Sequence, residues 1–378
     1  MMTQETMRPL KDLMPVLAHD VASSIDVPPF DRAAMDGYGT VASDLAGASR
    51  EKPRSLRLEA AIHAGDAAAP VISPGSCVQI ATGAPIPSGA DTVVPVEETR
   101  REGESVLFFK EIQTGSHIIR KGEDIKKSSA VFPSETWLSP ARVGALAALG
   151  FEKVEVFARV RTAIAPTGPE VIRPGRPLGP GQVYDINTFS LRSLLHAHGA
   201  APSTFDIADD SLESLERILE EAESHDLMVF SGGSSVGEKD LLVDVIERMG
   251  KVFFHGIAIK PGKPTLFGEV RGTPVVGMPG YPTSCLMNAY TLLIPLVRRM
   301  AHLPTFHPPR IQAPLGATVR SHQGKRHFLT VKVTGGKAVP AFKSSGAITS
   351  MAWADGFIEI PEDTTVLPEN TPVTVILF

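Results

Sequence analysis

A chain of 378 residues, 43% of them hydrophobic, can bury several cores, and its length suggests two to four domains. A net charge of −5 argues against a nucleic-acid-binding protein as a whole, while leaving room for a local basic pocket. Two cysteines fit a reducing compartment, residues 1–14 lack the apolar core of a signal peptide, and no stretch is apolar for long enough to cross a membrane; a soluble cytoplasmic protein is expected.

Leu10, Leu13, Met14, Leu17 and Ala18 fall at helical spacing, so residues 9–24 read as an amphipathic helix. A breaker-rich loop follows at 28–38 and ends in Asp36-Gly37-Tyr38; loops bearing carboxylates often carry function. From about 40 to 130 short strands alternate with turns, at 56–60, 77–80, 92–96 and 106–109, which predicts a small all-β domain. Its turns at 81–87 and 120–125 each display a polar residue, Thr82 and Asp124 among them. Ser139 as N-cap and Pro140 at the first helical position open a helix that stops at Gly150. That helix is expected to return to the N-terminal one, which makes 38–130 an insertion in a helical stem of 1–37 and 131–155.

Beyond 155 the rhythm becomes strand, helix, strand, helix. Strands are predicted at 160–165, 202–207, 227–230, 252–259, 265–270 and 274–278, and helices at 187–198, from 210, from 240 to Gly250, and at 282–299. Asn187 is placed as an N-cap, and Asp210 with Glu213 has capping-box spacing. Such alternation over 156–305 implies a mostly parallel sheet covered on both faces. Residues 304–309 read as a linker, and 306–378 as a small β-barrel-like domain of short strands. The expected fold is therefore α/β multidomain: a doubly wound α/β domain, an inserted all-β domain on a helical stem, and a C-terminal β domain.

Ligands on doubly wound sheets bind outside the carboxyl ends of the strands, where the glycine-rich turns 166–168, 231–237 and 278–284 lie. Ser231, Gly232, Gly233, Ser234 and Ser235 link a strand to a helix start, an arrangement that aims backbone N–H groups at an oxyanion. Glu238 and Asp240 follow, oxygen donors of the kind Mg²⁺ takes. The same residues also fit a surface turn with an acidic helix start. Lys260-Pro261-Gly262-Lys263-Pro264 holds two ammonium groups on a proline-stiffened turn, which suits a multiply charged oxyanion and equally a basic surface loop. Pro279, Pro282 and Ser284 belong to a second stiffened turn at a helix start, which reads equally as a structural turn before a core helix.

Met-Asp-Gly-Tyr at 35–38, Ile-Ala-Thr-Gly-Ala-Pro at 80–85, Gly-Glu-Asp-Ile at 122–125 and Tyr-Asp-Ile-Asn at 184–187 come before the turn at 231–240. The Lys-Pro-Gly-Lys-Pro and Pro-Gly-x-Pro-x-Ser turns come after it. In that order and spacing the set resembles the MoeA-type molybdopterin molybdenumtransferases, a family that includes the C-terminal domain of gephyrin, over about residues 10–375.

The resemblance implies an elongated homodimer whose cleft takes residues from both chains. The implied reaction places molybdate in the dithiolene of adenylylated molybdopterin, with AMP released and Mg²⁺ assisting. Asp240 and Glu238 would hold Mg²⁺ or orient the phosphates, Ser231 to Ser235 would bind the pterin or phosphate end, and Lys260, Lys263 and Ser284 would meet molybdate. Asp36, Thr82 and Asp124 would complete the cleft from the β-domain side, that of the partner chain. Glu170, Pro279, Pro282 and Ser345 fall at further substrate-binding positions. Transient contacts with the molybdopterin adenylyltransferase and with molybdoenzyme acceptors are implied, and none with nucleic acid or membrane. This chain departs from the family pattern at three places: Tyr281 stands where asparagine is usual, Pro169 where a carboxylate is, and Thr330 where an arginine follows an aromatic residue. The alternative is a protein that binds the pterin nucleotide, or docks a partner, on the same scaffold without turnover. An adenylyltransferase is a third reading, weakened by the extra domains and the two-lysine turn.

Overall fold

A computed structural model describes residues 5–9, 15–66, 70–209, 211–232 and 241–378. The chain divides into two compact units, the first spanning Leu17–Val154 and the second Glu155–Phe378.

In the first unit, six strands form one sheet: β1 (Gly37–Thr40), β2 (Arg54–Ile62), β3 (Ser76–Ile80), β4 (Thr92–Pro95), β5 (Thr99–Glu102) and β6 (Ser105–Phe108). Their order is β4-β1-β3-β2-β6-β5. Successive side chains point to opposite faces, and both faces are covered. Cys77 and Val94 pack with Tyr38, Leu56, Val106 and Phe108, while Val78, Ile80 and Val93 pack with Ile62 and Ala84. Helix α1 (Pro140–Ala148) starts as expected, with Ser139 Oγ accepting from Arg142 N at 3.4 Å.

The helix predicted over residues 9–24 does not hold for its described part. Residues 15–24 run as turns and short strand, and Val21–Ala22 pairs antiparallel with 130–132. Leu17 and Ala18 are buried, but Leu17 exchanges backbone hydrogen bonds with Thr136 and Glu135 rather than with its own turn. Arg32–Ala33 likewise pairs with Ile118–Ile119, so the described part of the stem's first leg is tied by β-pairing, and among the described residues α1 is its α-helix.

The second unit opens with β7 (Val160–Pro166), α2 (Asn187–Ala197), β8 (Ala200–Thr204), α3 (Leu212–Glu220), β9 (Leu227–Ser231) and α4 (Leu241–Met249). It continues with β10 (Gly250–His255), β11 (Ile259–Lys260), β12 (Leu266–Val270), β13 (Thr273–Met278), α5 (Pro282–Asn288) and α6 (Ile294–Met300). The sheet runs β8-β7-β9-β13-β12-β10, with the first four strands parallel and the last two antiparallel. Ala163, Ala165, Met228, Phe230 and Val275 face α3 and α4; Ile164, Val229, Val276 and Met278 face α2, α5 and α6. Near-continuous apolar strands buried on both faces are what a doubly wound parallel sheet demands.

Two caps differ from expectation. The α2 cap is the Asp185 carboxylate, whose Oδ1 accepts from Thr188 N at 3.0 Å, and Asn187 lies inside the helix. Ser211 caps α3, accepting from Ser214 N at 3.2 Å; Asp210 lies outside the described residues. The long helix predicted from 282 runs to Met300, but with a π-helical stretch at Ala289–Leu293. Pro295 accounts for it, because it cannot donate to the carbonyl four residues back.

The strand predicted at 252–259 is split. The chain leaves the α/β sheet after His255, and Ile259–Lys260 joins the C-terminal sheet instead. That sheet also holds β14 (Arg310–Pro314), β15 (Arg326–Thr334), β16 (Lys337–Pro340), β17 (Gly356–Ile360) and β18 (Pro372–Leu377). Its path is β11-β15-β17-β18-β14, with β16 on β15. Leu329, Val331, Ile358, Ile360 and Val375 fill its core, and Phe328 and Phe357 pack on Met287 of α5.

Candidate active site

Chain order and sheet order diverge at β7. From it the chain steps out to β8 on one side, then crosses to β9 on the other. Connections leaving two neighbouring strands in opposite directions open a crevice at their carboxyl ends. Thr167 follows β7, Ser231 ends β9, and the 279–284 turn follows β13, so three glycine-rich turns meet there. Thr167 N donates to Ser231 O at 3.0 Å, and Gly232 N to Met278 O at 3.4 Å. Gly232 has φ +109°, and a Cβ on it would run into the Thr167 carbonyl, so glycine is required for the turns to close.

Around these strand ends and the start of α2 the protein leaves buried polar atoms unpaired. Thr167 Oγ1, Asn187 Oδ1, Thr188 Oγ1 and Ser231 Oγ are buried without a hydrogen-bond partner. Their residues are 3%, 7%, 7% and 4% exposed. Four of the eight such atoms among the described residues lie on two of these turns and the start of α2. Each unpaired buried group carries a desolvation penalty of about 1–3 kcal/mol. A cluster of them marks a place prepared for a polar ligand. The Asn187 amide nitrogen is already used, donating to Gly280 O at 2.8 Å and tying α2 to the 279–284 turn. Burial pushes the Cys285 thiol up to about 12, with the neighbouring Ser231 side chain acting against it, so it stays protonated.

At the start of α5, Thr283 N donates to Ser345 O at 3.0 Å and Thr283 Oγ1 to Ala347 O at 2.9 Å. The first turn of α5, which holds Ser284, is thereby tied to the backbone of Ser345, both residues being expected at the site. Tyr281 is 67% exposed, with Gly346 beneath its ring. Pro279 is buried, and Pro282 is the first residue of α5. One turn on, Asn288 hydrogen-bonds the loop between the two lysines, donating to Gly262 O at 2.9 Å. Residues four apart on a helix share a face, with Cβ atoms about 5–6 Å apart, so Ser284 and the lysine loop lie one helical turn from each other. Lys260 stands opposite His327 in the β11/β15 register, and Lys263 is exposed. Glu170 is exposed beyond Gly168, and its carbonyl accepts from Val183 N at 2.9 Å. Thr330 is fully buried with its hydroxyl unpaired, and Arg326 pairs with Glu359 at 3.0 Å.

In the first unit Asp36 and Thr82 meet directly. Asp36 Oδ1 accepts from Thr82 N at 2.7 Å and from Thr82 Oγ1 at 2.8 Å, which holds the carboxyl below its ordinary value. Asp124 is exposed; its N–H donates to Val27 O at 3.1 Å, and no hydrogen bond joins its carboxylate to this pair among the described residues. Gly233, Ser234, Ser235, Glu238 and Asp240, expected at the phosphate and the metal, lie outside the described residues. Among the described residues no three His, Cys, Asp or Glu side chains converge on a metal position.

Comparison with known proteins matches residues 2–150 to the MoeA N-terminal region, 163–299 to a probable molybdopterin binding domain, and 312–378 to the MoeA C-terminal region. Molybdopterin molybdenumtransferase 2 of Mycobacterium tuberculosis is 34% identical over 370 residues, covering 95% of this chain and 91% of its own. The chain belongs to the MoeA family. The molybdopterin molybdenumtransferase of Haemophilus influenzae is 31% identical, over 94% of this chain and 91% of its own. A MoeA protein from Pyrococcus horikoshii has the same fold, with TM-score 0.85 at 40% identity, covering 99% of this chain and 94% of that one. As a MoeA-family member this chain adds features that sequence reasoning passed over: Asp185 as the cap of α2, the paired roles of Asn187, and Asn288 under the lysine loop. A Tyr-Asp-Ile-Asn motif just before a helix was the available signal for the first two.

Proposed function

We propose that the protein is a molybdenum insertase, which places molybdate in the dithiolene of adenylylated molybdopterin and releases AMP. The observation that carries this is the set of four unpaired buried polar atoms at the switch point of a MoeA-family sheet. Hydroxyls of Thr167, Thr188 and Ser231 can donate to phosphate oxygens, and Asn187 Oδ1 can accept from a pterin N–H. Lys260 and Lys263 supply positive charge for the oxyanion, and Ser284 a hydroxyl, one helical turn apart on rigid elements. Asp36, held ionised by Thr82, is the carboxylate that the β-domain of the partner chain would contribute.

Glu238 and Asp240 are hard oxygen donors of the kind Mg²⁺ takes, and bound there it would polarise the phosphoanhydride. Asp185 adds a buried carboxylate on the neighbouring turn, already oriented by Thr188 N. We further infer a homodimer whose cleft draws on both chains, a cytoplasmic location, and transient hand-over contacts with the adenylyltransferase before the reaction and molybdoenzymes after it. None of the helices among the described residues is long and apolar enough to cross a membrane.

The test is AMP release from adenylylated molybdopterin with Mg²⁺, with and without molybdate, for wild type and Asp240→Ala. Molybdate-dependent release that the variant loses supports the insertase. Tight nucleotide binding with no release from the wild type would overturn it in favour of a binding protein. A monomeric mass at micromolar concentration would remove the shared cleft.

A further inference from the structure

We propose that Asn288 is a positioning residue that sets the two-lysine loop against the 279–284 turn; this rests on the reading of Lys260 and Lys263 as molybdate contacts. Asn288 is fully buried at the last residue of α5. Its Nδ2 donates to Gly262 O at 2.9 Å and to Thr265 Oγ1 at 2.7 Å, and the Thr265 hydroxyl donates in turn to Gly262 O at 2.9 Å. The carbonyl between the lysines thus takes two hydrogen bonds from buried side chains.

The fit is tight as well as polar. Gly262 has φ +104°, and a Cβ on it would run into the Asn288 amide, so backbone and side chain are in direct contact. On the far side the Lys263 carbonyl accepts from Ile257 N and Thr265 N, both at 2.9 Å. Lys260 is fixed separately by the β11/β15 register opposite His327. Asn288 Oδ1, meanwhile, has no partner. A residue selected for packing alone would not bury an unpaired oxygen. The amide is therefore kept for its N–H groups, and those groups serve the lysine loop. Because α5 begins at the turn that presents Ser284, one rigid helix transmits position from that turn to the lysines.

The experiment uses the full chain and reads AMP release and direct molybdate binding by calorimetry. Asn288→Asp keeps the shape and loses both donors. A displacement of the order of 1 Å is expected to raise the molybdate KM about tenfold to a hundredfold, with nucleotide affinity unchanged. Asn288→Thr, which keeps one hydroxyl donor, is expected to fall between and guards against a folding failure of the aspartate. In a Lys260→Ala, Lys263→Ala background Asn288→Asp is expected to add nothing, because it acts through those side chains. A parallel loss of nucleotide affinity, or a full additional loss in that background, would overturn the proposal. If removing both lysines leaves the molybdate KM untouched, the reading of the loop fails and the proposal with it. If the lysines matter and Asn288→Asp has no effect, the proposal alone fails.

Discussion

Replacing Thr167 by valine separates the binding role of the crevice from its structural cost. Thr167 Oγ1 is buried at the end of β7 without a partner, whereas its N–H keeps the 3.0 Å bond to Ser231 O that closes the turn. Valine matches threonine in shape and suits a strand end, so the backbone bond survives. Removing an unpaired buried hydroxyl is expected to stabilise the ligand-free protein by about 1–3 kcal/mol. Removing a donor to a phosphate is expected to weaken nucleotide binding by about 1.5–3 kcal/mol, roughly tenfold to a hundredfold. The sign is therefore opposite in the two states. Equilibrium urea unfolding measures the first, as a midpoint that rises at constant m, and titration with the pterin nucleotide measures the second. Added nucleotide should also raise the midpoint of the wild type more than that of the variant, by mass action. A variant less stable than wild type when ligand-free, or one that binds the nucleotide equally well, would overturn this assignment of the hydroxyl. Either result would mean that the hydroxyl serves the fold and not a ligand.

Gly232→Ala places a side chain at positive φ against the Thr167 carbonyl; a stability loss of about 1–3 kcal/mol with loss of nucleotide binding is expected, and a normal melt with normal binding would sink it. Burial first, then Lys260 and His322, pushes the His327 imidazole down to about 4 from its ordinary 6.5. Because the folded state takes up its proton later than the unfolded state, stability should fall as pH drops from 6.5 towards 4. His327→Gln should flatten that slope in urea midpoints measured across the window, and an unchanged slope would assign it to other groups. The Asp36 carboxyl is depressed in the folded state, so its contribution is present above the ordinary 3.8 and is lost as pH falls through the lower folded value. Thr82→Val should move the Asp36 carboxyl resonance titration upward in NMR, because it removes the hydroxyl donor; a titration that stays put would leave the backbone N–H as the sole cause.

Periodicity alone carried most of the architecture, because both faces of the α/β sheet and of the β-domain sheet are buried and leave long apolar signatures. Where it misled, a local competitor won. At 9–24 the apolar spacing of a helix is present, but in the described part Leu17 bonds to Thr136 and Glu135 instead. At the helix starts two adequate capping residues lay within two positions of each other, and Asp185 and Ser211 won over Asn187 and Asp210 by a geometry that propensity does not resolve. The strand at 252–259 was continuous in composition, yet its last residues pair in another sheet, because register with β15 is a tertiary matter. The candidate site divides in the same way. Its turns were legible as glycine, serine and proline clusters, since those residues are demanded by backbone conformation. The unpaired state of Thr167, Asn187, Thr188 and Ser231 was not, since it depends on what two strand ends and a helix start distant in sequence fail to offer one another. The same holds for Asn288: an asparagine seven residues into an apolar helix reads as a flaw in the core until Gly262 and Thr265 are seen against it. A polar residue inside an apolar stretch is thus the sequence-level trace of a loop held from below. In this chain that trace lies one helical turn from Ser284, where a pair of positioned lysines is of use.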